Sequence, residues 1–319
     1  MDFRTIVEVP GFPFKLNHRD SIFLAGSCFA ERMQHYFHRS GFSTFSNSHG
    51  IIFDPNSLGT ALKDVLDGRI YQENNLEIRG DEFVSLRHHG SFSSPSKQNL
   101  LETINTKITQ ANYYLKKVNY CFITFGNAYA FIDVKDNQPV ANCHRLPTQR
   151  FARKMLSVKE IVALWKPLLS EILDFNQEIQ MVFTVSPVRY LKDGAINNQI
   201  SKANLLLAVH ELCSLSGRIH YFPSYELMMD DLREYRFYAN DMIHPSELAQ
   251  SYIWERLQQA SMNESTISIA NQIAELMLIT DHRPRNPEAF SQHLSEMRTR
   301  LKELLSVSNS AQQIDSLIP

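Results

Sequence analysis

No stretch of this sequence approaches the ~18 consecutive apolar residues that a membrane-crossing helix needs, so no membrane association is expected. The opening MDFRTIVEVPGF lacks a basic region followed by an apolar run, and it does not read as a signal peptide. Cysteine is sparse: the four, Cys28, Cys121, Cys143 and Cys213, fall at spacings that match neither a zinc ligand set nor a redox pair. They read as reduced thiols of a cytoplasmic protein. An excess of one charge is missing too. Lys and Arg number 32 against 34 Asp and Glu, which leaves no basic footprint for nucleic acid. Internal repeats and low-complexity tracts are absent. What is present is an ordinary globular composition, 43% hydrophobic and 21% charged, enough to bury a core and to exclude general disorder. A length of 319 residues suits one large α/β domain with additions better than two equal domains.

Four short segments, SIFLAG, YCFITFG, IQMVFTVSP and RIHYFPS, are apolar throughout instead of alternating, and they read as buried strands. Helical patterns separate them. CFAERMQHYFHRSG carries Phe29, Met33 and Phe37 on one face, with Gly41 as a stop. FDPNSLGTALKDVLDG offers Asp54 as cap and Pro55 in the first turn. Leu101, Ile104, Ile108, Ala111 and Leu115 mark another helix, and Ser157 with Glu160 forms a capping box ahead of the next, which contains Pro167. Further helices are expected over 199–216 and over 245–260, the last with Pro245 at its first position. AYAFIDVKDNQPVANC reads as a hairpin turning near Asp136 and Asn137. Strands alternating with helices predict a three-layer α/β/α sandwich with a mostly parallel sheet. The predicted division is an α/β domain over 1–261, with an irregular insertion at about 69–97, followed by a helical C-terminal extension over 262–319. In that tail Phe290, Leu294, Met297, Leu301 and Leu304 step by three and four; the seam packs on the body or forms a homodimer contact.

Parallel sheets bind ligands at the carboxyl ends of their strands, where Ser27, Gly126, Ser186 and Ser224 are expected. Ser27 stands where FLAG turns into a helix, a place that suits a nucleophile or simple packing. The segment NDMIHPS adds Asp241 and His244, three residues apart and just before a helix. A carboxylate so placed can accept the Nδ1 proton and leave Nε2 free to take a proton from serine. The plain alternative is a surface loop and a cap.

These residues sit within longer blocks: GSCFA at 26–30, NSHGIIFDP, RHHGSFS, ITFGNAY, NCHRLP, VSPVRYLKDG, NQISKANLLLA, YFPSYELMMDDLREYRFYANDMIHPS and HRPRNP. In these blocks and their order the chain resembles the GSCFA family, a branch of the SGNH/GDSL hydrolase superfamily. The resemblance implies a flavodoxin-like fold and a triad of Ser27, His244 and Asp241. At the strand-to-helix turn the Ser27 N–H is expected to help bind an oxyanion, and the resemblance adds the Gly50 amide to that hole. The superfamily's Gly-x-Asn stands here as Gly126, Asn127, Ala128, with the asparagine one position early. Asn127 serves as the third donor if it rotates in; otherwise Asn47 or Asn142 supplies it, or the third donor is absent.

Other groups have their own readings. His88 and His89, or Cys143 and His144, would need converging partners to hold a metal, so neither a metal nor any cofactor is expected. His144 and Asn47 are candidates for the substrate pocket, and Arg189, just past a strand end, for an anionic group or a helix acid. Arg236 and Tyr238 read as buttresses of the Asp241–His244 loop. Cys28 is a rival nucleophile, because a helix N-terminus lowers a thiol's pKa, but one position past the turn its side chain is expected to point inward. The expected chemistry is hydrolysis of a small or carbohydrate-linked O-acyl ester through a covalent serine intermediate. The alternatives are acyl transfer to a sugar hydroxyl at the same triad, and a non-catalytic scaffold that keeps the shell.

Overall fold

The computed structural model describes residues 5–280, 295–297, 299, 300, 302 and 303. The strands in chain order are β1 (Ser21–Gly26), β2 (Ser43–Ser46), β3 (Glu77–Arg79), β4 (Glu82–Val84), β5 (Ser93–Ser94), β6 (Tyr120–Phe125), β7 (Tyr129–Asp133), β8 (Gln138–Val140), β9 (Phe151–Met155), β10 (Gln180–Val185) and β11 (Ile219–Tyr221). The helices are α1 (Cys28–Arg39), α2 (Pro55–Leu66), α3 (Lys97–Leu115), α4 (Val158–Phe175), α5 (Gly194–Cys213), the single turn α6 (Ser224–Glu226), α7 (Glu247–Ser261) and α8 (Glu264–Thr280).

Five strands form a parallel sheet in the order β11-β10-β6-β1-β2. Numbered along the sheet alone this is the 2-1-3-4-5 order of the flavodoxin-like fold. Each central strand is apolar throughout because both of its faces are covered. Phe23, Ala25, Cys121, Ile123, Phe125, Met181 and Phe183 point into one core, shared with buried residues of α2, α4 and α5. Ile22, Leu24, Phe122 and Val182 point into the other, shared with α1 and α7. The three-layer sandwich expected from the apolar runs is the architecture observed.

Local differences have local causes. β2 has the sequence STFS, only half-buried at the sheet edge, and it carries no apolar run to announce it. β9 joins the expected β7–β8 hairpin as a third antiparallel strand. The insertion contains the small antiparallel sheet β3-β4-β5. Pro167 lies inside a continuous α4. α7 begins at Glu247, not Pro245, because Ser246 caps it by accepting the Ala249 N–H. Beyond residue 261, α8 lays Ala270 into the core shared by α1 and α7. Most of the proposed C-terminal seam, Phe290, Leu294, Leu301 and Leu304, lies outside the described residues.

Candidate active site

The end of β1 is built for a close turn. Gly26 has φ +134°, and a Cβ there would lie 2.1 Å from the Thr124 carbonyl oxygen, so a side chain is excluded. Asn47 Oδ1 accepts the Gly26 N–H at 3.0 Å and steadies the same turn. Ser27 follows as the N-cap of α1. Its Oγ accepts the Phe29 N–H at 3.3 Å, its own N–H donates to Thr124 O at 3.2 Å, and the residue is 1% exposed. Cys28, the first residue of the helix, is only partly covered. The inward-facing side chain of the pair is therefore Ser27, the reverse of the expectation for Cys28.

On the far side of the same sheet edge, residues 237–246 fold back on themselves. The Ser246 N–H donates to Phe237 O at 2.8 Å, and the Ala239 N–H to His244 O at 2.8 Å. The Arg189 N–H donates to Ile243 O at 3.1 Å and ties the loop to the segment after β10. Inside this loop Asp241 Oδ1 accepts the N–H groups of Ile243 and His244 at 2.9 and 3.0 Å, and Oδ2 accepts from His244 Nδ1 at 2.7 Å. The His244 and Ile243 backbone N–H groups, with the imidazole behind them, hold the Asp241 carboxyl down at about 2. It is an ionised acceptor at neutral pH, and it directs the other ring nitrogen outward.

That nitrogen, His244 Nε2, lies 3.8 Å from Cys28 Sγ. Ser27 and His244 line one cleft of about 600 Å³, with Cys28, Gly126, Asn127 and Arg189 also on its wall. Its lining also includes Phe53, Val188, Leu191 and Ile243. A second cleft, of about 590 Å³, is also lined by Cys28 and His244 and carries Glu31, Arg32, Gln34 and Glu247. Cys28 and His244, with Val188, thus line both an apolar cleft and one of mixed lining.

The other expected site residues divide. Asn127 is on the cleft wall; its Oδ1 accepts the Tyr129 N–H at 2.8 Å, which leaves Nδ2 as its side-chain donor. Arg189 is there too, with Nη1 against Met229 Sδ at 3.7 Å. The structure does not bring Gly50 to this wall. Its N–H closes a turn onto Asn47 O at 2.8 Å, and a Cβ would strike His89. Asn47 stands behind β1 and not in the cleft, with Nδ2 buried and unpaired. His144 is 2% exposed and points its Nε2 at Ser85 O and His88 O, at 2.9 and 3.2 Å, which makes it a pin for the insertion instead of a pocket residue. Among the described residues no group of three or more His, Cys, Asp or Glu is placed to hold a metal ion. No helix among them is long and apolar enough to cross a membrane.

One residue of the site escaped the sequence reading. Lys202 is 1% exposed beneath the cleft, and its Nζ donates to Gly126 O at 2.7 Å and Ser186 O at 2.6 Å. It clamps the ends of β6 and β10 together. Burial pushes its ammonium pKa down to about 7. The signal was present: Lys202 shares the apolar stripe of α5 with Leu205, Val209 and Leu212.

A family model described as the GSCFA family matches residues 21–257. No curated protein matches the chain. Among solved structures, a family two carbohydrate esterase from Clostridium thermocellum in complex with cellohexaose is 11% identical, with 84% of this chain and 67% of that one covered and a TM-score of 0.37. An acetyl xylan esterase from the rumen bacterium Butyrivibrio proteoclasticus is 10% identical over 84% and 66%, with a TM-score of 0.39. A carbohydrate esterase family 3 protein from Talaromyces cellulolyticus is 8% identical over 79% and 99%, with a TM-score of 0.35. These scores are too low to carry those proteins' chemistry to this chain.

Proposed function

The chain belongs to the GSCFA family, and we propose that it is an acyl-transfer enzyme of the SGNH hydrolase type that cleaves O-acyl esters through a covalent acyl-enzyme. One observation carries this reading. His244 is held in a single tautomer by the ionised Asp241, and its free Nε2 faces the turn after β1 at the carboxyl edge of the sheet. A neutral imidazole so oriented is a general base toward a nucleophile and then a general acid toward a leaving alcohol. Asn127 Nδ2 and the Cys28 N–H are the donors for the oxyanion; the Phe29, Ala30 and Glu31 N–H groups are taken by Ser27, and the Ser27 N–H, itself expected as a donor, is taken by Thr124 O.

The two clefts set the substrate class. The apolar one, with Phe53, Leu191 and Ile243, suits the acyl chain. The mixed one, with Glu31, Arg32, Gln34 and Glu247 beside Phe29 and Pro245, suits a polyhydroxylated alcohol such as a sugar. The same mixed cleft favours a second reading, in which a sugar hydroxyl replaces water as acceptor. Neither reading calls for a cofactor.

The full chain assayed on p-nitrophenyl esters of increasing acyl length, and on acetylated oligosaccharides, tests the proposal. Turnover that disappears in His244→Gln is the expected result. No turnover of any ester, in a sample with a cooperative melt, counts against it. Product analysis with and without an added polyol separates hydrolysis from transfer.

A further inference from the structure

The hydroxyl and the thiol that follow Gly26 compete for the role of nucleophile, and their geometries differ. Ser27 Oγ is turned into the helix start, where it accepts the Phe29 N–H, and the residue is 1% exposed. Cys28 Sγ is the atom within hydrogen-bonding distance of His244 Nε2, at 3.8 Å. Cys28 and His244 also line both clefts, whereas Ser27 lines only the apolar one. A substrate with its acyl chain in one cleft and its alcohol in the other would place the scissile carbonyl at the junction, beside Sγ.

We propose that Cys28 is the nucleophile of this site, so that the chain works through Cys28, His244 and Asp241. The inference rests on the acyl-transfer reading above. As Sγ forms its bond to the ester carbonyl carbon, the thiol proton passes to His244 Nε2, and the carbonyl electron pair moves onto oxygen beside the Cys28 N–H and Asn127 Nδ2. Collapse breaks the bond from carbonyl carbon to alkoxy oxygen, and the proton on His244 goes to the departing alcohol. A water then gives a proton to His244 and adds to the thioester, and the sulfur leaves and recovers that proton. The sum is ester and water to acid and alcohol.

The surroundings fit a thiol that is activated on demand and not stored as thiolate. Burial pushes the Cys28 pKa up, while the charge of Lys202 beneath it opposes the shift. Cys28 therefore rests protonated and depends on His244 to take the proton during attack. Ser27 keeps a separate task as the cap that fixes the first turn of α1 and thereby the position of Sγ.

The test quenches the full chain in acid during turnover of p-nitrophenyl butyrate and maps the acyl group by peptide mass spectrometry. An adduct on Cys28 that neutral hydroxylamine removes, and that Cys28→Ala loses while keeping its melting curve, is the expected result. A hydroxylamine-stable adduct on Ser27 overturns the assignment and leaves the esterase reading standing. Iodoacetamide alkylation decides the matter without any substrate, so it holds even if no ester is turned over. Alkylation of Cys28 is expected to be about tenfold or more slower in His244→Gln than in the wild type, with Cys143 and Cys213 as unchanged internal controls. Equal Cys28 rates in the two proteins overturn the proposal.

Discussion

The molecule keeps its histidines in two contrasting settings. In and against the insertion, His88 and its neighbours His49 and His144 are each 2% exposed or less, and His49 and His88 stack with ring centroids 4.4 Å apart. Burial holds all three below the ordinary histidine range. Their nearest partners are hydroxyls and carbonyls, Ser48 Oγ for His49, Ser85 Oγ for His88 and Ser85 O for His144, and His49 Nε2 also lies 3.6 Å from the buried Asp64 carboxylate. At the sheet edge His244 is about half exposed (48%) and leans on one carboxylate. The first set is a neutral packing device. The second is an oriented ring with one nitrogen turned to Cys28 Sγ and access to two clefts. Proton transfer needs both a fixed tautomer and a route for substrate, and only the His244 arrangement supplies both.

The sharpest way to break this comparison is to remove a histidine from each setting. His244→Gln is expected to lower ester kcat/KM by about 10²–10⁴-fold, with a melting temperature close to the wild type's, since the side chain is half exposed. The buried set should show the opposite pattern. Its folded pKa values lie below 6.5, so below that pH the unfolded chain binds more protons. The stability it contributes is complete above pH 6.5 and falls as the pH drops, by up to about 1.4 kcal/mol per pH unit for each histidine. Urea melts from pH 7 to 5 measure this slope, and His88→Phe should make it shallower.

Lys202 belongs to the site but behaves like the buried set. Lys202→Met leaves the Gly126 and Ser186 carbonyls without their donor and is expected to cost about 1.5–3 kcal/mol in denaturant melts. Its folded pKa is about 7 against 10.5 for the ordinary side chain. Between those values the unfolded chain holds the extra proton, so wild-type stability should rise from pH 7 toward pH 10, and Lys202→Met should lose that rise. A flat wild-type profile would show that the buried ammonium keeps its proton. The smallest effect is expected of Ser27→Ala, where loss of the cap costs about 1 kcal/mol.

Much of this fold was legible because apolar runs and caps are local signals. SIFLAG is β1 from Ser21 to Gly26, and Asp54 with Pro55 opens α2. The edge strand β2 was not legible, since STFS has nothing to bury on an open side. At the site, the Asp241–His244 pairing followed from spacing along one loop. Which of two adjacent residues faces His244 depends on the phase of α1 at its first turn, and Ser27 is the residue drawn into the cap. Gly50 and His144 were misplaced for a similar reason: a block's position along the chain does not reveal that its amide closes a turn or that its ring pins another loop. Lys202 shows the converse, a charge on an apolar helix stripe whose partners are two strand ends distant in sequence.

The most direct measurement is the pre-steady-state release of p-nitrophenol from p-nitrophenyl acetate by the full chain, compared with Asp241→Asn and His244→Gln. A covalent acyl-enzyme driven by the oriented imidazole predicts a burst approaching one equivalent per chain in the wild type, strongly slowed in both variants. Linear release at the same rate in all three proteins would contradict it.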